Sequence, residues 1–363
     1  MEPVRPKASA APGFGRMTCL CSPEGNPVAV KLVDVARQAG VSPSTVSYVL
    51  SGNRPISEET RRRVEQAIAD LGFKPHAGAR SIRRQATNVI AMVLPMLEDG
   101  QRAVQMQFVF AVLAAARAQG RNLLLATAED GVAEIHNLVD SAMVDGVIAM
   151  EIQVHDPRVP VLKELNRPAV LIGTPEDPEQ LVHVDFDFAA AGAMCVRHLH
   201  DLGHRHIGWL GQSADTYARE AGYALRARDG ALSAMAECGL PRVWSPMTAT
   251  PAGAAEAIED VFGQDPELTG LVVYNEQALP FVLSRLREIG REVPGRMSIL
   301  AICPDDLAEH MVPAVSDVAL PADELGRLAF ERLAALIDGR AQPVSTLLEP
   351  RLNRRGSAGP PPR

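Results

Sequence analysis

Five hydroxyl-bearing residues, Ser42, Ser44, Thr45, Ser47 and Tyr48, fall within one short stretch of the chain. Val41, Val46, Val49 and Leu50 alternate with them at helical spacing, so the stretch predicts a helix that is apolar on one face and rich in hydroxyls on the other. Hydroxyls on the face turned away from a core have hydrogen bonds to offer a docked partner. The elements that must hold this helix are legible on both sides of it. Upstream, Val35, Ala36 and Ala39 give a first apolar burst, and Gly40 suits the tight turn between two helices. Ser42 is placed to cap the second helix, with Pro43 at its first position, where a missing N–H costs nothing. Downstream, Ser57-Glu58-Glu59-Thr60 reads as the start of a third helix whose buried stripe is Val64, Ala67, Ile68 and Leu71, and Gly72 ends it. Three helices in about 45 residues leave room for one docking task, the alternative being a helical cap packed on the rest of the chain.

Charge singles out the same region. The 363-residue chain carries a formal net charge of −8, but residues 31–86 hold ten Lys/Arg against five acids, a net of +5, and residues 1–30 add +1. Residues 87–363 therefore carry −14. A basic module on an acidic body confines phosphate neutralisation to the first.

Beyond Thr87 the pattern changes. Apolar runs such as Val89–Leu94, Leu123–Ala126, Gly146–Ala149, Ala169–Gly173, Ile207–Gly211, Gly270–Tyr274 and Ser298–Ile302 alternate with amphipathic stretches. Continuous apolar strands between helices predict parallel sheets covered on both faces, and the length suits two of them. Ligands of such sheets bind beyond the carboxyl ends of the strands. Asn275 and Glu276, Asp305 and Asp306, and Arg219, Arg226 and Arg228 occupy such positions; each is also suited to capping the helix that follows. His204 and His206 invite a metal or general-base reading. The five cysteines, Cys19, Cys21, Cys195, Cys238 and Cys303, are scattered, without spacing for zinc or a disulfide framework. No Gly-rich phosphate loop, nucleophile elbow or metal-ligand cluster is present in the sequence, and no apolar run is long enough to span a bilayer.

The run Val33-Asp34-Val35-Ala36, Ala39-Gly40-Val41-Ser42, Thr45-Val46-Ser47, then Ile56-Ser57, Thr60-Arg61, Val64, Leu71-Gly72-Phe73 and Pro75 resembles the headpiece of the lactose-repressor/galactose-repressor family nearly position for position. Ala79-Arg80-Ser81-Ile82 resembles that family's hinge helix, with Ile82 in place of the leucine that wedges into the minor groove, and His76 where an asparagine is usual. Val144-Asp145-Gly146-Val147-Ile148, Asp187 with Gly192, His204-Arg205-His206-Ile207 and Asn275-Glu276 resemble landmarks of the family's effector domain, itself similar to periplasmic sugar-binding proteins. The resemblance spans residues 31–353 and makes the Gly-His-Arg-His-Ile phrase a structural turn.

It implies an N-terminal all-α helix-turn-helix headpiece joined to an α/β periplasmic-binding-protein-like core of two doubly wound parallel-sheet lobes. Residues 1–30 are expected to be a disordered extension, 31–76 the headpiece, 77–87 the hinge helix and linker, 88–353 the two-lobed effector and dimerisation domain, and 354–363 a disordered tail. Ser44 and Tyr48 would face base edges. Ser42, Thr45, Ser47, Arg54 and Arg80 would hold DNA backbone, with Ile82 as the wedge. Phe108, Asp187, Arg226, Arg228, Asn275 and Asp305 would contact the effector, the arginine being either Arg226 or Arg228.

The expected function is a sequence-specific transcription regulator, a cytoplasmic, nucleoid-associated homodimer on a pseudo-palindromic double-stranded DNA operator, controlled by a small molecule such as a sugar or sugar derivative. No cofactor, metal, membrane partner or catalysis is expected. The competing reading is a cytoplasmic small-molecule binding protein without effective DNA binding.

Overall fold

The computed structural model describes residues 30–51, 56–73, 86–95, 102–127, 131–178, 180–340 and 344–362. The chain divides into two compact units, Met1–Arg80 and Ser81–Arg363. The predicted hinge helix around Arg80 and Ile82, and Arg54, lie outside the described residues.

The first unit contains α1 (Leu32–Ala39), α2 (Pro43–Ser51) and α3 (Glu58–Leu71). Gly40 takes the left-handed conformation, φ 63°, that turns the chain from α1 into α2. Ser42 Oγ accepts the Thr45 backbone N–H at 3.2 Å and Ser57 Oγ that of Thr60 at 3.3 Å, so both predicted caps form. Val35, Ala36, Ala39, Val46, Val64, Ala67 and Phe73 close a small core of their own.

The second unit holds two six-stranded sheets. β5 (Val182–Phe186), β4 (Ala169–Ile172), β3 (Gly146–Ala149), β1 (Val89–Val93) and β2 (Asn122–Ala126) lie in that order behind an edge strand β11 (Thr346–Leu348). β10 (Ser316–Ala319), β9 (Ser298–Cys303), β8 (Gly270–Val273), β6 (Ile207–Leu210) and β7 (Val243–Ser245) form the other sheet behind β12 (Leu352–Asn353). Every pairing is parallel except β10 with β12. The chain passes between lobes three times: after β5, after β10 and after β11. In both sheets the strand order reverses, between β1 and β3 in the first and between β6 and β8 in the second. The carboxyl ends of β3 and β8 are therefore the places where each lobe opens a crevice.

The end of the chain departs from expectation. Residues 354–362 are ordered against the second lobe rather than a disordered tail. Ser357 is fully buried; its hydroxyl accepts the Ser316 N–H and donates to Ile299 O, each at 2.7 Å. Its backbone carbonyl accepts the Ile299 N–H at 2.9 Å. Arg355 pairs with both Asp305 and Asp317. Proline and glycine make the segment look unstructured, but beside the Ile299 bond its backbone is met by side chains of the lobe, Arg355 N–H donating to Ser316 Oγ at 2.8 Å and Gly359 N–H to Ser298 Oγ at 3.0 Å. Ser357→Ala, which strands a buried N–H and a buried carbonyl, should cost about 1–3 kcal/mol, read as a lower denaturant midpoint at unchanged slope.

Candidate functional site

Among the described residues, two places concentrate recognition chemistry. On the first unit it is the start of α2. Ser42 and Ser44 are exposed, Thr45 is half-buried, and the three hydroxyls form a chain, Ser42 Oγ lying 2.8 Å from Ser44 Oγ and 2.9 Å from Thr45 Oγ1. They stand at a helix N-terminus, whose partial positive charge and undirected N–H groups favour an anion such as a phosphate. Tyr48, one turn further on, is 37% exposed, and Arg61, Arg62 and Arg63 are exposed on α3. Ser47 is different. It is only 5% exposed, beside Val46 on the inner face, so it serves the small core in this conformation instead of the polar face where the sequence pattern put it.

The second place is the crevice between the lobes, about 540 Å3 including its open mouth. Its walls are mostly apolar: Phe108 from the helix Arg102–Ala118, Met150 and Ile152 after β3, Ile172 at the end of β4, and Leu320 and Leu325. Phe188, Tyr223 and Tyr274 make an aromatic triangle in the wall, with ring centroids 5.9, 5.9 and 6.4 Å apart. Four polar side chains enter, from Gln105, Glu151, Asp185 and Arg226.

Several contacts bridge the lobes across this crevice. Arg226, on the second lobe's helix Gly222–Glu237, donates to Thr174 O at 2.9 Å and to Asp185 Oδ2 at 3.1 Å on the first lobe. Burial raises the Asp185 carboxyl above its ordinary range although the Arg226 charge pulls the other way. At the rim, the Val154 N–H bonds Glu220 O at 2.9 Å and the Gly222 N–H bonds Ile152 O at 3.1 Å. Above them His155 lies 2.8 Å from Glu220 and 2.6 Å from Glu176, and Glu220 in particular raises its imidazole pKa.

The loop after β3 is built to present Glu151, which sits at a left-handed φ of 58°. Arg158 donates to Glu151 O at 2.9 Å while Asp156, buried beneath, accepts from Arg158 and from the Gln153 N–H. Burial disfavours the Asp156 charge, yet the Arg158 bonds outweigh it and hold the carboxyl below its ordinary range. Glu151 Oε1 then accepts from Gln105 Nε2 at 3.1 Å, and its other oxygen lies 3.8 Å from Arg219.

Of the six expected effector contacts, Phe108 and Arg226 line the crevice. The other four are occupied elsewhere. Asp187 caps the helix Phe188–Asp201, accepting the Ala190 N–H at 2.9 Å. Arg228 pairs with Asp229 and lies 5.0 Å from the Tyr217 and Trp244 ring centroids. Asn275, nearly buried, donates to Met247 O at 2.8 Å. Asp305 is taken by Arg355 and Asn353 of the ordered C-terminal segment. Gln105, Glu151, Asp185, Tyr223 and Tyr274 were not among the expected contacts. Glu151 satisfies the strand-end rule as well as Glu276 does, two residues past β3. His204 engages both ring nitrogens, with Thr269 at 2.8 Å and Gly359 O at 2.9 Å, as a structural turn requires.

Comparison with known proteins follows the same division. The family description "Bacterial regulatory proteins, lacI family" matches residues 31–76, and "Periplasmic binding protein-like domain" matches residues 196–358. The chain is 29% identical to the HTH-type transcriptional regulator CelR of Thermobifida fusca over 89% of this chain and 96% of that protein. It is 26% identical to catabolite control protein A of Priestia megaterium over 84% and 91%. A solved complex of CelR with cellobiose covers 90% of this chain and 99% of its own, at 26% identity and TM-score 0.66. A Lac repressor dimer bound to operator and an anti-inducer covers 92% and 100% at 22% identity and TM-score 0.78, a likeness of fold.

Proposed function

We infer, from the membership of this chain in the LacI family of bacterial regulatory proteins, that it is a sequence-specific repressor of transcription whose grip on DNA is set by a small molecule bound between its lobes. The observation that carries the reading is the hydroxyl-bearing N-terminus of α2, exposed at Ser42 and Ser44, on a segment that is basic while the rest of the chain is acidic. Two copies would place two α2 helices in successive major grooves of a pseudo-palindromic operator in the cytoplasm, as helix-turn-helix dimers do. The crevice supplies the switch. A ligand that prefers one spacing of the lobes shifts the population, and a coupling of about 1–3 kcal/mol changes operator affinity about 5–150-fold. CelR takes cellobiose, which supports a sugar or sugar derivative as the effector here, with Phe108 and Arg226 among its contacts.

Selecting duplexes from a random pool with the full chain, then footprinting the winner across a salt series, tests this. A steep salt dependence and a two-fold-related protected site are expected. Protection of no sequence would leave only a ligand-binding protein. Within α2, Tyr48→Ala should relax sequence preference, whereas Thr45→Ala should weaken all sequences alike, because base contacts specify and phosphate contacts position. Equal loss of discrimination in both variants would refute the division of roles.

A further inference from the structure

The crevice and the residues just behind its wall hold hydrogen-bond acceptors that no donor among the described residues meets. Glu151 and Glu276 follow β3 and β8, the strands at the two switch points; Glu151 lines the crevice, and Glu276, two residues past the lining Tyr274, is near enough for the Glu151 charge to act on it. Gln105 Nε2 is committed to Glu151, which fixes the amide's orientation and turns Oε1 away from that bond. Gln105 is 1% exposed, lines the crevice, and its Oε1 finds no donor among the described residues. Glu276 is 5% exposed; its Oε1 is also without a donor, and it forms no ion pair among the described residues.

Leaving one buried polar atom unmet costs about 1–3 kcal/mol, so an unmet Gln105 Oε1 in the crevice wall and an unmet Glu276 Oε1 just behind that wall mark where something else is meant to bond. Both are acceptors, which calls for a donor. The charges agree. Arg226 is engaged with Asp185, and Arg219 lies nearest Glu151, which leaves Glu276 uncompensated. Burial raises the Glu276 carboxyl, its own backbone N–H offsets part of this, and the charge on Glu151 raises it further, to about 7. The adjoining wall is the triangle of Phe188, Tyr223 and Tyr274, and aromatic faces attract cations.

We propose that the effector is cationic, a small molecule whose protonated amine docks among Gln105, Glu151 and Glu276 while its ring-bearing body lies against Phe188, Tyr223 and Tyr274. This rests on the reading of the crevice as the effector site. It narrows the class from sugars in general to amine-bearing compounds, amino sugars included.

Matched pairs that differ only in amine against hydroxyl test it on the full-length protein by calorimetry: phenethylamine with phenethyl alcohol, and cyclohexylmethylamine with cyclohexylmethanol. At a pH above the Glu276 midpoint of about 7, the amine of at least one pair should bind about tenfold or more tighter than its alcohol. That preference should fade as the pH falls through the midpoint, because protonation removes the charge the amine meets, and this measurement needs no variant. Glu276→Gln should abolish the preference at all pH values. Equal or tighter binding of the alcohols, binding of neither amine, or a preference that survives both Glu276→Gln and low pH would overturn the proposal. Operator release is measured in parallel. An amine that binds as stated without altering the operator complex leaves the cation site standing and removes its regulatory role. A neutral sugar such as glucose that releases the operator while no amine binds does the reverse.

Discussion

Arg226→Met is expected to unlatch the lobes and destabilise the second unit by about 2–4 kcal/mol, with a lower denaturant midpoint and a more open crevice in solution scattering. The guanidinium bridges Thr174 O and Asp185 Oδ2 from the opposite lobe. The Asp185 side chain is 5% exposed and that of Arg226 31%, so removal of the arginine leaves the more deeply buried partner without a counter-charge. The carboxylate retains the N–H of Phe186 at 2.8 Å, which is why the upper end of the usual penalty for breaking a buried pair is not expected.

The pH dependence has a definite sign. The folded-state pKa of Asp185 already lies above the ordinary value of 3.8, so its protonated form favours folding and that contribution fades as pH rises through the folded pKa. Without Arg226 the folded pKa moves higher still, so the variant should lose more relative to the parent at neutral pH than under mildly acidic conditions. Adding Asp185→Asn should restore part of the loss and flatten the pH dependence. If Arg226→Met alone melts like the parent at neutral pH, the pair is not the latch described.

Asp185 also illustrates what the sequence could and could not disclose. The headpiece was legible because its helices are announced by local chemistry: Ser42 and Ser57 cap, Gly40 turns, and the apolar spacing follows. The central strands were legible because they are buried on both faces and so read as unbroken apolar runs. β5 and β10 were not, since each carries an aspartate in its interior, Asp185 and Asp317, tolerated only because Arg226 and Arg355 reach them from 41 and 38 positions away. Such partners cannot be seen by a local pattern. The same long-range pairing hid the order of the C-terminal segment and removed Asp305 from the crevice. In the site, the strand-end rule pointed toward the Asn275-Glu276 turn, but the distinction between Asn275, satisfied by Met247 O, and Glu276, with an unmet oxygen, depends on the fold. Strand ends of the first lobe obey that rule equally, and Glu151 lies two residues past β3.

A helix contact carries the largest single-residue effect we expect, and it too reaches the site. Gly192 and Gly230 lie on the two helices Phe188–Asp201 and Gly222–Glu237. A Cβ added at Gly192 would stand 2.1 Å from Ala227 O, and one at Gly230 would stand 2.1 Å from Ala189 O. Both obstacles are backbone, so no rotamer change relieves them and the helices must part. Cys195, Val196 and Leu199 on one helix and Ala227, Ala231 and Ala234 on the other are all buried in the main core, so separation of the helices forfeits packing.

Gly192→Val should therefore cost about 3 kcal/mol or more. The roughly 1 kcal/mol that leaving glycine gains in helix propensity is offset in valine by its branched Cβ and does not rescue it. Gly263→Ala provides the contrast. Gly263 is exposed in the helix Pro251–Gln264 with nothing within 4 Å of an added Cβ, so propensity alone acts and stability should rise by about 0.5–1 kcal/mol. Because the displaced helix carries Tyr223 into the aromatic wall and Arg226 into the latch, any Gly192→Val protein that still folds should also bind crevice ligands more weakly. Gly263→Ala should leave that affinity unchanged. Ligand binding that survives intact in Gly192→Val would mean that the wall is not positioned by this helix pair.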